Sequence, residues 1–567
     1  MSSPDSTGVE EAAAALDMLL TQAALGPSRR FFPGRPALRF AWALARHPAL
    51  AAERSGTLAA ELVRIAGGVS GVAPGAKDRR FADPAWTGNP LLRRAMQAYL
   101  AAGAAALGLV DDTPLGWRDA QRLRFAAANV VDALAPSNTP LSPEAWKAVI
   151  DSGGGSVVTG IKHLLSDLAS PPRVPSMVPS GAFTVGDDLA LSPGAVVLRT
   201  PVFELIQYQP VTGKVHELPL LIVPPTINKY YILDLAPGRS MTEYLVGQGQ
   251  QVFVMSWRNP DKRHADWGFD VYVQAVIEAL EAVTDIVGTD AAHLLGACSG
   301  GILASLAAAV LPAQPPDRPR ARPRLASLGL LVTMLDQART DAVGAFVDES
   351  MAEAAIAASA RQGYLDGRRL AEVFAWLRPG DLVWNYWVNN YLLGREPAKF
   401  DILSWNADTT RMTAGLHRDF IRAAAANSLA RPGELTVLGA EVDLARVDLD
   451  SYAVAGVADH ICPWQSCYRG SQLLGGKTRF VLSTSGHIAA LVNPVGNKKA
   501  RYQASEDVTA DADAWQRAAG TEPGSWWPDY SAWLAARSGG QVTAPPSLGN
   551  DRFRVIEPAP GSYVRTA

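Results

Sequence analysis

Gly296-Ala297-Cys298-Ser299-Gly300 is the stretch on which the reading of this chain depends. A short apolar run, Ala292–Leu295, precedes it and an uncharged apolar run with helical character, Ile302–Leu311, follows. Strand, G-x-nucleophile-x-G, then helix is the pattern of a nucleophile elbow, here with cysteine in the nucleophile's place. The turn is sharp, so small residues are needed two before and two after the nucleophile, where strand and helix approach each other. The helix begins just under the Cys298 sulfur, and its amide end favours the thiolate. The uncharged span Leu294–Pro315 has about the length of a bilayer crossing. Gly296, Gly300 and Gly301 interrupt it and Pro312 closes it, so strand, turn and buried helix are expected instead.

Outward from the elbow, short apolar runs alternate with helical spacing. Pro219–Val223, Gln251–Ser256, Leu328–Thr333, Leu435–Leu438, Tyr452–Ala455 and Arg479–Leu482 read as buried strands. Val273, Val276, Ile277, Leu280, Val283 and Val287 have the period of one helix, ended by Gly288. Such repetition implies an α/β architecture with a parallel sheet and helices on its faces. The interval between Thr333 and Leu435 breaks the rhythm. It is helix-rich and crowds Trp376, Trp384, Tyr386, Trp387 and Tyr391, and an inserted helical cap over the sheet's carboxyl edge is expected at about 334–430. Residues 1–180 read as a mostly helical N-terminal domain, with runs such as Pro90–Leu107 and Trp117–Leu134, ending in the Pro-rich linker Ser170–Val178. Residues 181–567 are expected to form the catalytic domain.

The 567 residues carry 52 basic and 55 acidic side chains, a net charge of −3, with 48% apolar residues. That supports a sizeable core and argues against a nucleic-acid binder, an acidic tail protein or a disordered scaffold. Met1–Leu20 carries Asp5, Glu10, Glu11 and Asp17 and lacks the basic start and apolar middle of a secretory signal. The 3 cysteines, Cys298, Cys462 and Cys467, show no CxxC pair and no zinc-ligand spacing, so no metal site and a reducing compartment are expected.

An elbow enzyme needs an acid and a base downstream, in that order. Of the 8 histidines, only His460 and His487 follow strand-like runs beyond the cap. His487, in Ser485-Gly486-His487, comes just after the run ending at Leu482 and is the expected base, with Gly486 freeing the backbone that turns it inward. Asp459 follows the run ending at Ala455 and is the expected acid. His460 is expected to point elsewhere, and Cys462 and Cys467 to be packing residues. The oxyanion hole needs backbone N–H groups: Ser299, after the nucleophile, and Thr226 or Ile227 from the loop Pro224–Lys229. The Cys-His-Asp set alone also suits a thioesterase or polyester depolymerase.

Further motifs narrow this. Asp78-Arg79-Arg80-Phe81-Ala82-Asp83-Pro84-Ala85-Trp86, Glu204-Leu205-Ile206-Gln207-Tyr208, Val223-Pro224-Pro225-Thr226-Ile227-Asn228-Lys229-Tyr230-Tyr231 and Ser256-Trp257-Arg258-Asn259-Pro260 lie before the elbow. Trp384-Asn385-Tyr386-Trp387-Val388-Asn389-Asn390-Tyr391, Asp459-His460-Ile461-Cys462-Pro463-Trp464 and Ser485-Gly486-His487-Ile488 follow it. Together they resemble the polyhydroxyalkanoate synthases along most of the chain, most closely the single-subunit, medium-chain-length type. Ala489-Ala490-Leu491-Val492 and Thr226 depart from the common forms.

The resemblance implies an α/β-hydrolase fold with a cap and a triad of Cys298, Asp459 and His487. It implies an acyltransferase that polymerises (R)-3-hydroxyacyl-CoA into polyester with release of CoA and no cofactor, the CoA thioester being the substrate. It further implies a cytoplasmic, granule-associated homodimer, contacting through the cap, whose partners are the growing polyester chain and granule surface. Because an alcohol must lose its proton in such a reaction, Asp459 is also expected to help activate the 3-hydroxyl.

Overall fold

The computed structural model describes residues 23–24, 34–76, 78–169, 171–313, 323–337, 349–377, 379–508 and 511–566. Its centre is an 11-stranded sheet. In chain order the strands are β1 (Gly194–Arg199), β2 (Phe203–Tyr208), β3 (Leu220–Val223), β4 (Val252–Trp257), β5 (Ala291–Ala297) and β6 (Arg324–Leu331). They continue with β7 (Ser451–Gly456), β8 (Thr478–Ser483), β9 (Arg501–Ser505), β10 (Gly520–Pro523) and β11 (Glu557–Pro558). Across the sheet the order is β10-β9-β8-β7-β6-β5-β3-β4-β2-β1-β11.

The six strands from β8 to β4 are mutually parallel. Helices cover both faces of such a sheet, so its strands carry unbroken apolar runs, and Leu220, Leu221, Ile222 and Val223 of β3 are all buried. The edges are antiparallel, with β2 on β4 and β1 on β2 at one side, β9 on β8 and β10 on β9 at the other. The helix Phe269–Val287 carries the apolar period read from the sequence and stops at Gly288, whose φ of 78° is left-handed. The span that mimics a bilayer crossing is β5, the elbow and the buried helix Ser299–Val310. No helix among the described residues is long and apolar enough to cross a membrane.

One strand expectation needs correction. Leu435–Leu438 does not join the sheet: Thr436–Val437 pairs with Ala440–Glu441 in a separate hairpin. Leu438 and Gly439 both have positive φ, 52° and 74°, and turn the chain back after two residues.

Between β6 and β7 lies the insertion, of which 338–348 falls outside the described residues. Its ends are tied together: Asn427 donates from Nδ2 to Asp336 Oδ1 at 2.9 Å and accepts from the Gln337 amide at 2.7 Å. Helices Glu349–Gln362 and Ala414–Ala426 pack on each other. The aromatic run docks on the N-terminal region. Trp387 Nε1 donates to the Asn138 carbonyl at 3.0 Å, Tyr391 OH to Asp167 Oδ2 at 2.7 Å, and Asn390 Nδ2 to the Ser176 carbonyl at 2.8 Å. Gly160, on helix Gly155–Ala169, lies so close that a Cβ there would stand 2.0 Å from the Tyr391 carbonyl oxygen.

Candidate active site

The elbow is built by steric exclusion. A Cβ on Gly296 would stand 2.5 Å from Gly301 Cα, and one on Gly300 2.3 Å from the Pro224 carbonyl oxygen, so neither position admits a side chain. Between them Cys298 holds φ 51° and ψ −120°, a backbone state that costs a non-glycine residue about 1–3 kcal/mol. Surrounding bonds hold it there: the Cys298 amide donates to the Leu331 carbonyl at 2.8 Å, and its carbonyl accepts from the Gly301 amide at 3.0 Å. The helix Ser299–Val310 starts at the next residue, and the Ser299 amide points at the Cys298 sulfur.

Asp459 and His487 arrive from the ends of β7 and β8. Their loops are stitched together, the Val457 amide donating to the Ser483 carbonyl at 2.8 Å and the Ala458 amide to the Ser485 carbonyl at 3.1 Å. His487 Nδ1 lies 2.7 Å from Asp459 Oδ2. The other oxygen, Oδ1, accepts the Ile461 and Cys462 amides at 2.8 and 2.9 Å. The Asp459 carboxylate is fully buried, so both its oxygens are spent inside the protein.

The structure brings Cys298, Asp459 and His487 together, and adds a residue expected only to pack. The sulfurs of Cys298 and Cys462 and a ring nitrogen of His487 all lie within 4.8 Å of one another. Cys462 is thus not mere packing. A hydrogen bond from its thiol lowers the Cys298 pKa to about 5, against the upward push of burial and with the charge of His487 adding to it. Cys462 itself is pushed well above the ordinary thiol range, by donating to Cys298 and by burial. Burial lowers the pKa of His487, but the negative charges of Asp459 and Cys298 outweigh it and raise it to about 10. Both shifts favour the thiolate–imidazolium form of the pair. Cys462 is placed by the turn that Asp459 Oδ1 caps, and only the fold carries that turn beside the elbow.

Thr226 and Ile227 lie in the loop after β3, above the elbow. The Thr226 amide donates to Ser299 Oγ at 2.9 Å, and the two hydroxyls are 3.0 Å apart, which engages that amide and locks the loop to the elbow. The Ile227 carbonyl accepts the Thr410 amide at 3.0 Å, tying the insertion to the same loop. Trp405 Nε1 adds a bond to the Lys229 carbonyl at 2.7 Å. Other histidines are occupied in the core: His293 between Ser327 Oγ at 2.7 Å and Ser538 Oγ at 3.0 Å, and His417 on Ser359 Oγ at 2.7 Å.

Comparison with known proteins agrees with this fold. Residues 77–245 match the family model described as Poly-beta-hydroxybutyrate polymerase (PhaC) N-terminus, and residues 219–494 match the alpha/beta hydrolase fold. The chain is 45% identical over 519 residues to Poly(3-hydroxyalkanoate) polymerase 1 of Ectopseudomonas oleovorans, covering 92% of each. Polymerase 2 of the same organism is likewise 45% identical over 521 residues, with 92% of each chain covered. The Poly(3-hydroxyalkanoate) polymerase subunit PhaC of Cupriavidus necator is 43% identical over 496 residues, 86% of this chain and 83% of that one. With an intact elbow, helical N-terminal region and this extent of identity, the chain belongs to the poly(3-hydroxyalkanoate) polymerase family.

Proposed function

We propose that the chain polymerises (R)-3-hydroxyacyl-CoA through a thioester on Cys298, with His487 as base and Asp459 orienting it. The observation that carries this is the Cys298 sulfur at a strained elbow within 4.8 Å of a ring nitrogen of the Asp459-held His487, in a chain 45% identical to a named polymerase. The Cys298 thiolate attacks the acyl carbonyl, the C–S bond to CoA breaks, and CoA leaves with the proton that His487 held. A 3-hydroxyl then attacks the Cys298 thioester, His487 takes its proton, and the oxoester forms as Cys298 leaves as thiolate. Thioester to thioester keeps the acyl group activated, and thioester to oxoester runs downhill, which suits cysteine better than serine.

For the oxyanion we assign the Ser299 amide, with Ile227 in the loop as second donor, because the Thr226 amide is taken by Ser299 Oγ. Asp459 holds the His487 ring and its charge. Its buried, doubly engaged carboxylate argues for that role alone, in place of the hydroxyl activation expected from sequence.

The remaining partners are part of the same proposal. The N-terminal helices carry exposed Leu91, Leu141, Trp146 and Ile150 around a groove of about 670 Å³, a surface suited to polyester and hence to a cytoplasmic granule. The insertion at about 334–430 is assigned as the cap that keeps water from the thioester. A homodimer contact is assigned to the cap outside Trp384–Tyr391, because Trp387, Asn390 and Tyr391 are already engaged within the chain. The test is CoA release from 3-hydroxybutyryl-CoA and 3-hydroxydecanoyl-CoA with the polymer weighed: CoA with equivalent polyester supports the reading, and CoA with free hydroxy acid makes the chain a thioesterase.

A further inference from the structure

Cys462 performs no step in that reaction, yet its sulfur, the Cys298 sulfur and a His487 ring nitrogen form the group of ligand-type atoms that gathers within 4.8 Å among the described residues. We propose that these three residues are a latent site for a thiophilic divalent cation of the zinc class, and that its binding reversibly stops acyl transfer.

The donor set is right. Two thiolates and one imidazole with an open fourth position are a recognised zinc environment, and Zn–S of about 2.3 Å with Zn–N of about 2.0–2.1 Å puts tetrahedral donors about 3.5–3.8 Å apart. The three donor atoms lie at most 4.8 Å apart, within about 1.3 Å of that spacing. The outer shell is already built. His487 Nδ1 is held by Asp459 Oδ2 at 2.7 Å, leaving Nε2 to face the sulfurs, which is the carboxylate–histidine arrangement that orients metal-binding imidazoles. The same carboxylate fixes the second ligand's backbone, since Oδ1 accepts the Cys462 amide at 2.9 Å. The elbow fixes the first.

Charge also balances. All three side chains are buried, and two thiolates neutralise a dication, so the complex adds no net charge to the interior. Binding displaces two protons to solvent, one from the Cys462 thiol and one from the Cys298–His487 pair; coordination deprotonates a thiol outright, and no electron moves. With sulfur and Nε2 both committed to the cation, Cys298 cannot attack and His487 cannot accept a proton. Binding itself does not rest on the proposed reaction; only the loss of turnover does.

The experiment uses the full chain with a phosphine reductant, which excludes a disulfide. Cobalt(II), as a spectroscopic stand-in for zinc, is titrated into the wild type, Cys462→Ala, Cys298→Ala and Cys467→Ala, and thiolate-to-cobalt charge-transfer absorption is read. The expected result is one cobalt per chain with a two-thiolate band, about halved by loss of Cys298 or Cys462 and unchanged by loss of Cys467. In parallel, CoA release is followed in chelator-buffered zinc, each variant normalised to its own zinc-free rate. The wild type should be inhibited at a zinc concentration at least about tenfold below that needed for Cys462→Ala, and EDTA should restore it. Equal zinc sensitivity in the two, or a band that ignores Cys462, overturns the site. A two-thiolate band without any inhibition keeps the site and instead defeats Cys298 as the nucleophile.

Discussion

In the sheet, Leu220, Leu221, Ile222 and Val223 are all at or near zero exposure, whereas on the N-terminal helices Leu91 is 75% exposed, Ile150 73% and Trp146 56%. The sheet half has two large clusters of buried apolar residues on its faces; the N-terminal half has a small one around Phe81, Trp86 and Met96. The comparison separates two tasks. A cysteine held at φ 51° needs a rigid, over-determined frame. The N-terminal surface proposed to meet polyester leaves apolar area uncovered, and patches of that kind mark interaction sites.

Removing the proposed nucleophile should affect one half only. Cys298→Ala should lower CoA release by at least about 10³-fold, as loss of a triad nucleophile does, while sedimentation with polyester particles and the near-ultraviolet circular dichroism stay as in the wild type. His487→Gln should cost about 10²–10⁴-fold in CoA release. It should also slow iodoacetamide labelling of Cys298 at neutral pH. In the wild type labelling should persist on acidification and fall only as pH drops through about 5, the lowered thiol pKa. Without His487 that midpoint should move up towards the ordinary thiol range. An unmoved midpoint would assign the thiolate to the helix amides and Cys462 alone.

Asp459→Asn should slow the first acylation of Cys298 and later elongation by similar factors, since the carboxylate serves His487 in both steps. Short oligomers accumulating on Cys298 would show a separate role towards the hydroxyl. The smallest effect is expected from the other half. Trp146→Glu with Ile150→Glu should weaken sedimentation with polyester while changing single-turnover acylation by less than about twofold, because both side chains are exposed and surface substitutions rarely disturb buried geometry. A parallel loss of acylation would mean the halves are not separable.

The sequence exposes the elbow because its demands are local: two glycines that exclude a Cβ and an apolar run on each side. The order of acid and base follows from strand ends, and the helix Phe269–Val287 from its period and Gly288. The outer strand β2 is hidden because Glu204 and Gln207 interrupt its apolar run. Partners far off in the chain hold them: the Tyr563 amide at 2.9 Å for Glu204 and the Gly549 amide at 2.6 Å for Gln207. The engagement of Thr226 is hidden for the same reason, and the Cys462 contact because the turn capped by Asp459 meets the elbow only in the folded chain.

The most direct test is mass spectrometry of the enzyme after a brief pulse of 3-hydroxyacyl-CoA, quenched in acid and digested. The mechanism predicts a 3-hydroxyacyl adduct, and longer oligomers with time, on the peptide carrying Cys298 and on no other. An adduct on the peptide carrying Cys462, or CoA release with every cysteine unmodified, would contradict it.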